Sequence, residues 1–339
     1  MGTVAWVWLA AVGLAEPSPG GAVRFQYERS VMNVPIKLVL YDKDETNANS
    51  AAEAVFQRIL RLNFVLSDYD DESELLQLVK TAGQGKIVPV SDDLWRVLVH
   101  SQALSERSGG AFDITINPVV RLWRKARRTK QLPSPEDIAR ARALVDYRNI
   151  RLYPDKKAVE LSKPGMRLDV GGVAKGYVCD EALAVLRKHG IDRAMIVAGG
   201  DIGLGDPPPG HAGWTIGVGS LDVKSPPSQY LSLARCGVAT SGDMFQYVEI
   251  GGKRYSHIVD PKTGLGLTNH RTVTIVARDG ITADGFSTAV SVLGPEKGLP
   301  LIEETPGAAA LILETVDGRV VQRSSGRWKD LPRSEKKAE

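Results

Sequence analysis

The stretch LDVGGVAKGY, residues Leu168–Tyr177, places two adjacent glycines and a lysine behind a short apolar run. It predicts a strand that ends at Val170, a turn made by Gly171 and Gly172, and a helix that begins after them. Such a turn presents backbone N–H groups to an anion, and Lys175 would add positive charge. The stretch is neither a Walker A nor a GxGxxG motif. Taken alone, it fits a phosphate site and equally a tight turn beside a solvated lysine.

Patterns on both sides of this stretch alternate irregularly between helix and strand. Helices are predicted at residues 52–66, 92–108, 133–145, 174–189 and 283–293, and strands at residues 36–41, 194–197, 214–218, 272–277 and 308–316. This order, with a hairpin-like stretch at Gly251-Gly252, favours the α+β class over a doubly wound parallel sheet. We therefore predict an α+β fold with mixed sheets and with helices packed on the sheets.

Length and composition are those of an ordinary globular protein. The chain has 339 residues, 43% of them hydrophobic and 24% charged, and a formal net charge of +3. That charge is too small for a nucleic-acid-binding surface, and no zinc-finger or helix-turn-helix pattern is present. Cys179 and Cys236 do not form a CxxC motif, so the sequence gives no support for a thiolate metal site or a redox site. A disulfide between them and two separate buried thiols both stay open.

The N-terminus resembles a secretion signal. Val4–Ala15 is an apolar run of signal-peptide length, although no Lys or Arg precedes Arg24. We expect residues 1–22 to be a signal-like segment, 23–327 the folded domain and 328–339 a polar tail. The expected location is periplasmic or otherwise exported, with a cytoplasmic protein as the alternative. No other apolar segment reaches the length of a membrane span.

Four more polar or glycine-rich segments interrupt foldable sequence. They are VAGGD at 197–201, ATSGD at 239–243, YSHIVDPKTG at 255–264 and TADGFST at 282–288. His257 is a candidate proton shuttle, and the alternative is a turn residue hydrogen-bonded to backbone. Asp284 and Thr288 share one helix face, and their oxygens suit Mg²⁺. The alternative for Asp284 is a helix cap that complements the helix dipole.

The run Arg121–Lys130 carries six Lys or Arg residues and a single aromatic residue, Trp123. Without a series of aromatic residues it is no base-stacking surface, so we predict a mostly solvated face. A docking patch for an acidic or membrane-bound partner is the alternative.

In their joint order these segments resemble the FAD:protein FMN transferase (ApbE) family, from about Phe25 to Gly326. The matching segments are LSDYDDESEL at 66–75, GAFDITINPVVRLW at 110–123 and the five glycine- or aspartate-rich segments above. The chain departs from the family at Met32-Asn33-Val34, where Met-Gly-Thr is frequent, and at Gln77-Leu78-Val79, where Arg-Leu-Asn is frequent.

The resemblance implies roles for individual residues. Those that match FAD-contacting positions are Met32, Tyr69, Ala111, Phe112, Asp113, Asp169, Lys175 and Ile258. Those that match metal ligands are Asp284, Thr288 and the carbonyl of Gly172. We take Asp284 and His257 as the catalytic residues, with His257 in proton transfer.

The implied reaction moves FMN from FAD to a Thr or Ser hydroxyl of a target flavoprotein, with Mg²⁺ as cofactor and AMP as the second product. The acceptor is expected to be a respiratory or electron-transfer subunit with a short flavinylation motif. Two alternatives stay open. One is an FAD-binding protein without transferase activity, and the other is an Mg²⁺-dependent pyrophosphatase that releases FMN and AMP.

Overall fold

The computed structural model describes residues 21–221, 225–243 and 246–335. The predicted signal-like segment, residues 1–22, therefore lies outside the described residues except for its last two positions. No helix in the described part of the chain is long and apolar enough to cross a membrane.

Helices and strands follow each other in an irregular order, as expected for the α+β class. The helices are α1 (Glu45–Leu66), α2 (Glu74–Val79), α3 (Asp92–Arg107), α4 (Asn117–Thr129), α5 (Pro135–Arg142), α6 (Gly171–Lys188) and α7 (Gly280–Glu303). The strands are β1 (Val23–Val31), β2 (Val34–Asp42), β3 (Val88–Pro89), β4 (Ile150–Tyr153), β5 (Ala158–Leu161), β6 (Ala194–Ala198), β7 (Asp201–Leu204), β8 (Trp214–Val218), β9 (Gln229–Leu233), β10 (Cys236–Gly242), β11 (Tyr247–Ile250), β12 (Lys253–Ser256), β13 (Arg271–Ala277), β14 (Ala309–Val316) and β15 (Arg319–Ser324).

An eight-stranded sheet organises the molecule, in the order β1-β2-β6-β7-β10-β13-β14-β15. This spatial order is also the order of the strands along the chain. Each neighbouring pair is antiparallel. The predicted α+β class is confirmed, and its strand directions are more uniform than the mixed sheet that we expected. Smaller sheets are formed by β3-β5-β4, β8-β9 and β11-β12.

Both faces of the large sheet are covered. In β2, Leu38 and Leu40 pack into the larger core under the helices, whereas Val39 between them packs into a second core. The second core is closed by β8, β9 and Trp328. Residues of both faces are buried because successive side chains of a strand point to opposite sides.

Several local predictions are confirmed. Ser91 and Ser134 cap α3 and α5, since their hydroxyls accept from the backbone N–H groups of Leu94 and Asp137. The predicted strand at residues 214–218 coincides with β8. The helix predicted to end at Leu293 is interrupted there, because Gly294 has φ 74° and kinks α7, which then continues to Glu303.

The prediction for the glycine pair Gly171-Gly172 was wrong. Residues 162–170, directly before the pair, do not form a strand. Both glycines lie in the first turn of helix α6 and not in a loop before it. Gly172 lies where neighbouring side chains crowd the helix. A β-carbon added there would lie 3.1 Å from both Phe112 and the Thr288 hydroxyl. Gly172 is therefore explained by close packing and not by a turn.

The predicted boundary before residue 328 was also wrong. Trp328 is 1% exposed and belongs to the second core. Beyond it, the N–H of Ser232 donates to the carbonyl of Pro332, and the N–H of Ser334 donates to the carbonyl of Tyr230. Residues up to 335 are thus part of the fold, and only 336–339 lie outside the described residues.

The two cysteines are free thiols. Cys179 is buried in the larger core, and Cys236 packs against the second core on the other face of the sheet. The alternative of two separate thiols is therefore the correct one.

Candidate active site

The site is built where the first turns of α6 and α7 cross. A β-carbon added to Gly176 would lie 2.1 Å from the carbonyl oxygen of Gly280, so only glycine permits this contact. The carboxylate of Asp180 accepts from the N–H groups of Gly280 at 2.7 Å and Ile281 at 2.9 Å. Helix α6 therefore fixes the start of α7 and the side chains of its first turns.

Oxygen atoms predicted as metal ligands converge at this crossing. Asp284 is 2% exposed, and its Oδ2 accepts from the N–H of Gly176 at 3.1 Å. In an α-helix that N–H is also the regular partner of the Gly172 carbonyl, so the carbonyl and the carboxylate lie on the same side of α6. The third predicted ligand is the Thr288 hydroxyl. It lies close to Gly172, since a β-carbon added to that glycine would lie 3.1 Å from it. Strand β10 closes this side, with the Ser241 hydroxyl 2.6 Å from that of Ser287.

Lys175 joins two carboxylates beside these oxygens. Its Nζ lies 2.6 Å from Oδ2 of Asp201 and 3.6 Å from Oδ2 of Asp284. Burial alone lowers the pKa of Lys175, but the two carboxylates more than offset this, so its pKa is raised and it stays charged. Burial and the neighbouring charge of Asp284 raise the pKa of Asp201 to about 7. The group therefore carries excess negative charge when both carboxylates are ionised.

The donor set fits a hard divalent cation. No group of three or more His, Cys, Asp or Glu side chains within residues 21–221, 225–243 and 246–335 is arranged to hold a metal. A site at Asp284 must therefore complete its ligands with neutral oxygens, and the Thr288 hydroxyl and Gly172 carbonyl are such groups. Mg²⁺ accepts this combination because it needs few carboxylates and keeps water or phosphate as further ligands.

A second cluster surrounds Asp169, just before α6. Arg124 on α4 donates to Asp169 at 3.0 Å and to Asp68 at 2.6 Å. Its guanidinium also lies 4.5 Å from the ring centroid of Tyr69, which is 67% exposed. Burial and the charge of Asp68 raise the pKa of Asp169, against the opposing charge of Arg124. An exposed ring backed by an arginine is suited to stacking on a planar ligand.

His257 lies within electrostatic range of Lys175. Its Nδ1 is 3.0 Å from the backbone carbonyl of Gln246. Burial lowers the pKa of His257 to about 4, against the opposing hydrogen bond to Gln246, and the positive charges of Arg127 and Lys175 lower it further. The imidazole is therefore neutral near pH 7 and able to accept a proton.

The remaining predicted residues lie around these clusters. Met32 occupies the turn between β1 and β2 with φ 57°, and it packs against the larger core. Ala111 and Phe112 are buried, and the Phe112 ring borders Gly172. Ile258 is buried beside His257. The carboxylate of Asp113 accepts from Thr115 and from the N–H of Tyr147, so it braces its own loop.

Three polar residues of the site were missed at the sequence level. Asp201 stood in the GGD motif but had no assigned role. Arg124 and Arg127 were included in the run predicted to be solvated, and this prediction was wrong for both because they are half-buried and hydrogen-bonded to site residues. No local signal separated them from the rest of the run, because Arg121 and Arg128 lie three and four positions from Arg124 and share its helix face by spacing, yet both are exposed.

Two cavities lie outside this cluster. One of about 240 Å³ is lined by residues including Lys80 and Arg167. The other, of about 300 Å³, lies between α3 and the opposite face of α7, where it contacts His100 and Phe286. Neither includes Asp284 or Lys175, so the assignment of the site depends on the converging polar groups and not on cavity size.

Sequence comparisons point to one family. A family model described as the ApbE family matches residues 32–312. An FAD:protein FMN transferase of Treponema pallidum (strain Nichols) is 32% identical over 315 residues, which cover 87% of this chain and 87% of the relative. An FAD:protein FMN transferase of Klebsiella pneumoniae (strain 342) is 31% identical, and the match covers 85% of this chain and 89% of the relative.

Solved structures with the same fold agree with the sequence matches. The ApbE protein of Thermotoga maritima superimposes with a TM-score of 0.82 at 28% identity, covering 92% of this chain and 100% of that one. The flavinyl transferase ApbE of Pseudomonas stutzeri, in its apo form, superimposes with a TM-score of 0.81 at 27% identity. The match covers 91% of this chain and 97% of that one.

Proposed function

Because the chain belongs to the ApbE family and is an FAD:protein FMN transferase, we propose that it transfers FMN to a Thr or Ser hydroxyl in an Mg²⁺-dependent reaction. The hydroxyl oxygen forms a bond to the phosphorus of the FMN half of FAD. The pyrophosphate bond to the AMP phosphate breaks, and AMP leaves with the bonding electrons. The hydroxyl proton passes to a base. The products are a phosphoester-linked FMN protein and AMP.

The observation that carries this proposal is the convergence of Asp284, Thr288 and Lys175 at the crossing of α6 and α7. Lys175 Nζ lies 3.6 Å from the Asp284 carboxylate. Thr288, one turn after Asp284 on α7, packs closely against Gly172 of α6. Asp284, Thr288 and the Gly172 carbonyl would hold Mg²⁺, which when bound supplies positive charge to the pyrophosphate. Lys175 adds a fixed cation whose charge is kept by its two carboxylate neighbours.

The other clusters bind and activate the substrates. The exposed ring of Tyr69, held by Arg124, stacks on the flavin, and Asp169 lines the same side. Neutral His257 accepts the proton of the attacking hydroxyl. Phe112, buried against Gly172, limits access of water to the phosphates.

An assay with purified protein, FAD, Mg²⁺ and a flavin-accepting protein tests the proposal. We expect in-gel flavin fluorescence on the acceptor and one AMP released per flavin attached. AMP and free FMN without a labelled acceptor would indicate a pyrophosphatase instead. FAD binding without AMP would indicate a binding protein. A matched acceptor with its Thr replaced by Val controls for non-covalent flavin.

The acceptor and the compartment belong to the same proposal. A respiratory or electron-transfer subunit with a Thr/Ser flavinylation motif would supply the hydroxyl. The apolar run Val4–Ala15 supports export of the enzyme to the periplasm. N-terminal sequencing of protein from its native host should find a mature start near Glu16, and an intact Met1 in the cytoplasm would contradict export.

A further inference from the structure

A hydrogen-bonded chain runs from α4 to His257. Arg127 is half-buried, and its Nη1 donates to the side-chain oxygen of Gln246 at 3.1 Å. The backbone carbonyl of Gln246 lies 3.0 Å from the backbone nitrogen of His257 and 3.0 Å from its Nδ1. Gln246, in the loop before β11, therefore contacts Arg127 through its side chain and His257 through its backbone carbonyl.

The backbone carbonyl of Gln246 determines which ring nitrogen carries the proton, and Arg127 holds the side chain of the same residue. A backbone carbonyl only accepts hydrogen bonds, so Nδ1 of His257 must be the donor. In the neutral imidazole the other nitrogen, Nε2, then has the free lone pair. His257 is thus held as the tautomer that a proton acceptor acting through Nε2 requires.

The charges around His257 act in the same direction. Arg127 approaches from α4 and Lys175 from α6, and both disfavour the imidazolium. Asp243, at the end of β10, has the opposite effect, but its carboxylate is paired with Arg254 at 2.5 Å and His270 at 3.0 Å. The neutral ring is therefore favoured by two of the three charged groups that face it.

We infer that Arg127 is a positioning residue for the transfer reaction: through Gln246 it orients His257 and fixes the Nδ1-protonated tautomer. The inference rests on the proposed function, in which His257 accepts the hydroxyl proton. It does not place Arg127 in contact with FAD or the acceptor.

The test uses Arg127→Gln in the full chain, with Arg128→Gln as the matched control because Arg128 is exposed on the same helix. Nitrogen-15 NMR of the imidazoles reports tautomer and titration, and His257→Gln assigns the His257 signals. We expect Arg127→Gln to raise the pKa of His257 by about half a unit to one unit and to mix the two tautomers. The acid limb of the pH–kcat profile should move up equally. Near pH 7 the ring stays neutral, so kcat should fall only about twofold, as the Nδ1-protonated tautomer is depleted, with KM for FAD unchanged. Arg127→Lys should restore the pKa because it restores the charge.

An unchanged His257 titration and tautomer in Arg127→Gln would overturn the inference, as would an equal effect of Arg128→Gln. Failure of the proposed function gives a different result. In that case the parent protein would label no acceptor, and if only the role of His257 fails, His257→Gln would retain full transfer. In both cases the NMR of Arg127→Gln would still report whether the residue positions the ring.

Discussion

At the scale of single residues, the carboxylate of Asp284 is the group on which the metal proposal depends. Asp284→Asn keeps the shape and loses the charge, so transfer should fall at least about a hundredfold at saturating FAD. Thr288→Val should cause a smaller loss, on the order of tenfold, because a water can replace a neutral hydroxyl. The measurement is flavin transfer against Mg²⁺ concentration, together with the Mg²⁺-induced shift in melting temperature.

Full activity of Asp284→Asn in EDTA would contradict the metal site and leave Asp284 as a structural residue. Ser291→Ala is a suitable control, because its buried hydroxyl donates within α7, to the carbonyl of Ser287 at 2.7 Å.

The spacing of Asp284 and Thr288 was readable from the sequence because both lie within one helical turn. Asp201 and Arg124 were not readable in the same way. Their partners, Lys175 and Asp169, are 26 and 45 positions away in sequence, and only tertiary packing brings each pair together. Charge patterns along a helix distinguish an exposed face from a buried one only when the opposing element is known.

At the scale of secondary-structure elements, the α6–α7 crossing is the most sensitive contact. Gly176→Ala places a methyl group where the Gly280 carbonyl lies, so the helices must separate. We expect a loss of about 3 kcal/mol in the free energy of unfolding, measured by urea denaturation. Lys188→Ala, exposed in the last turn of α6, is the control and should stay within about 0.5 kcal/mol. Equal stability of the two variants would rule out the tight crossing.

The capping carboxylate of Asp180 predicts a pH dependence. Burial raises its pKa to about 7, well above that of an unfolded aspartate. Between about pH 4 and pH 7 the folded state therefore binds a proton that the unfolded state releases, so Asp180 makes stability fall as pH rises. Its contribution to the slope is at most about 1.4 kcal/mol per pH unit.

Asp180→Asn cannot titrate, so its unfolding free energy should decline less between pH 4 and pH 7 than that of the parent protein. The absolute stability will also drop, because an amide offers one acceptor to two N–H groups. The slope is thus the informative quantity. An unaltered slope would mean that Asp180 is ionised throughout, and Asp192→Asn, an exposed site, serves as the comparison.

At the scale of the whole molecule, the C-terminal segment is a structural component of the fold. Trp328 is 1% exposed in the second core, so Trp328→Ala should reduce the free energy of unfolding by about 4 kcal/mol. Lys329→Ala, at an exposed position beside it, is the control and should have no comparable effect. Thermal and urea unfolding of both forms checks this, and equal losses would contradict the packing of this segment.

The α+β class and most regular elements were predictable, because strands such as β8 and helices such as α3 carry clear periodicity and capping residues. The roles of the C-terminal residues were not, because their sequence is polar on average. Pro332 and Ser334 are recruited by backbone pairing to β9, which leaves no hydrophobic pattern. Likewise, Gly172 is explained by the side chains of Phe112 and Thr288 from other parts of the chain, which local turn rules do not include.

The agreement between strand order in the large sheet and strand order in the chain bears on biosynthesis. Each new strand of the large sheet after β2 can join the edge that was completed just before it, so the sheet can extend while the ribosome is still translating. Chains arrested at residue 278 or 279 would already contain β1 to β13 but lack α7, and with it Asp284. Protease protection of arrested nascent chains should accordingly spread strand by strand, whereas FAD-dependent protection should appear only in chains long enough for α7 to have left the exit tunnel.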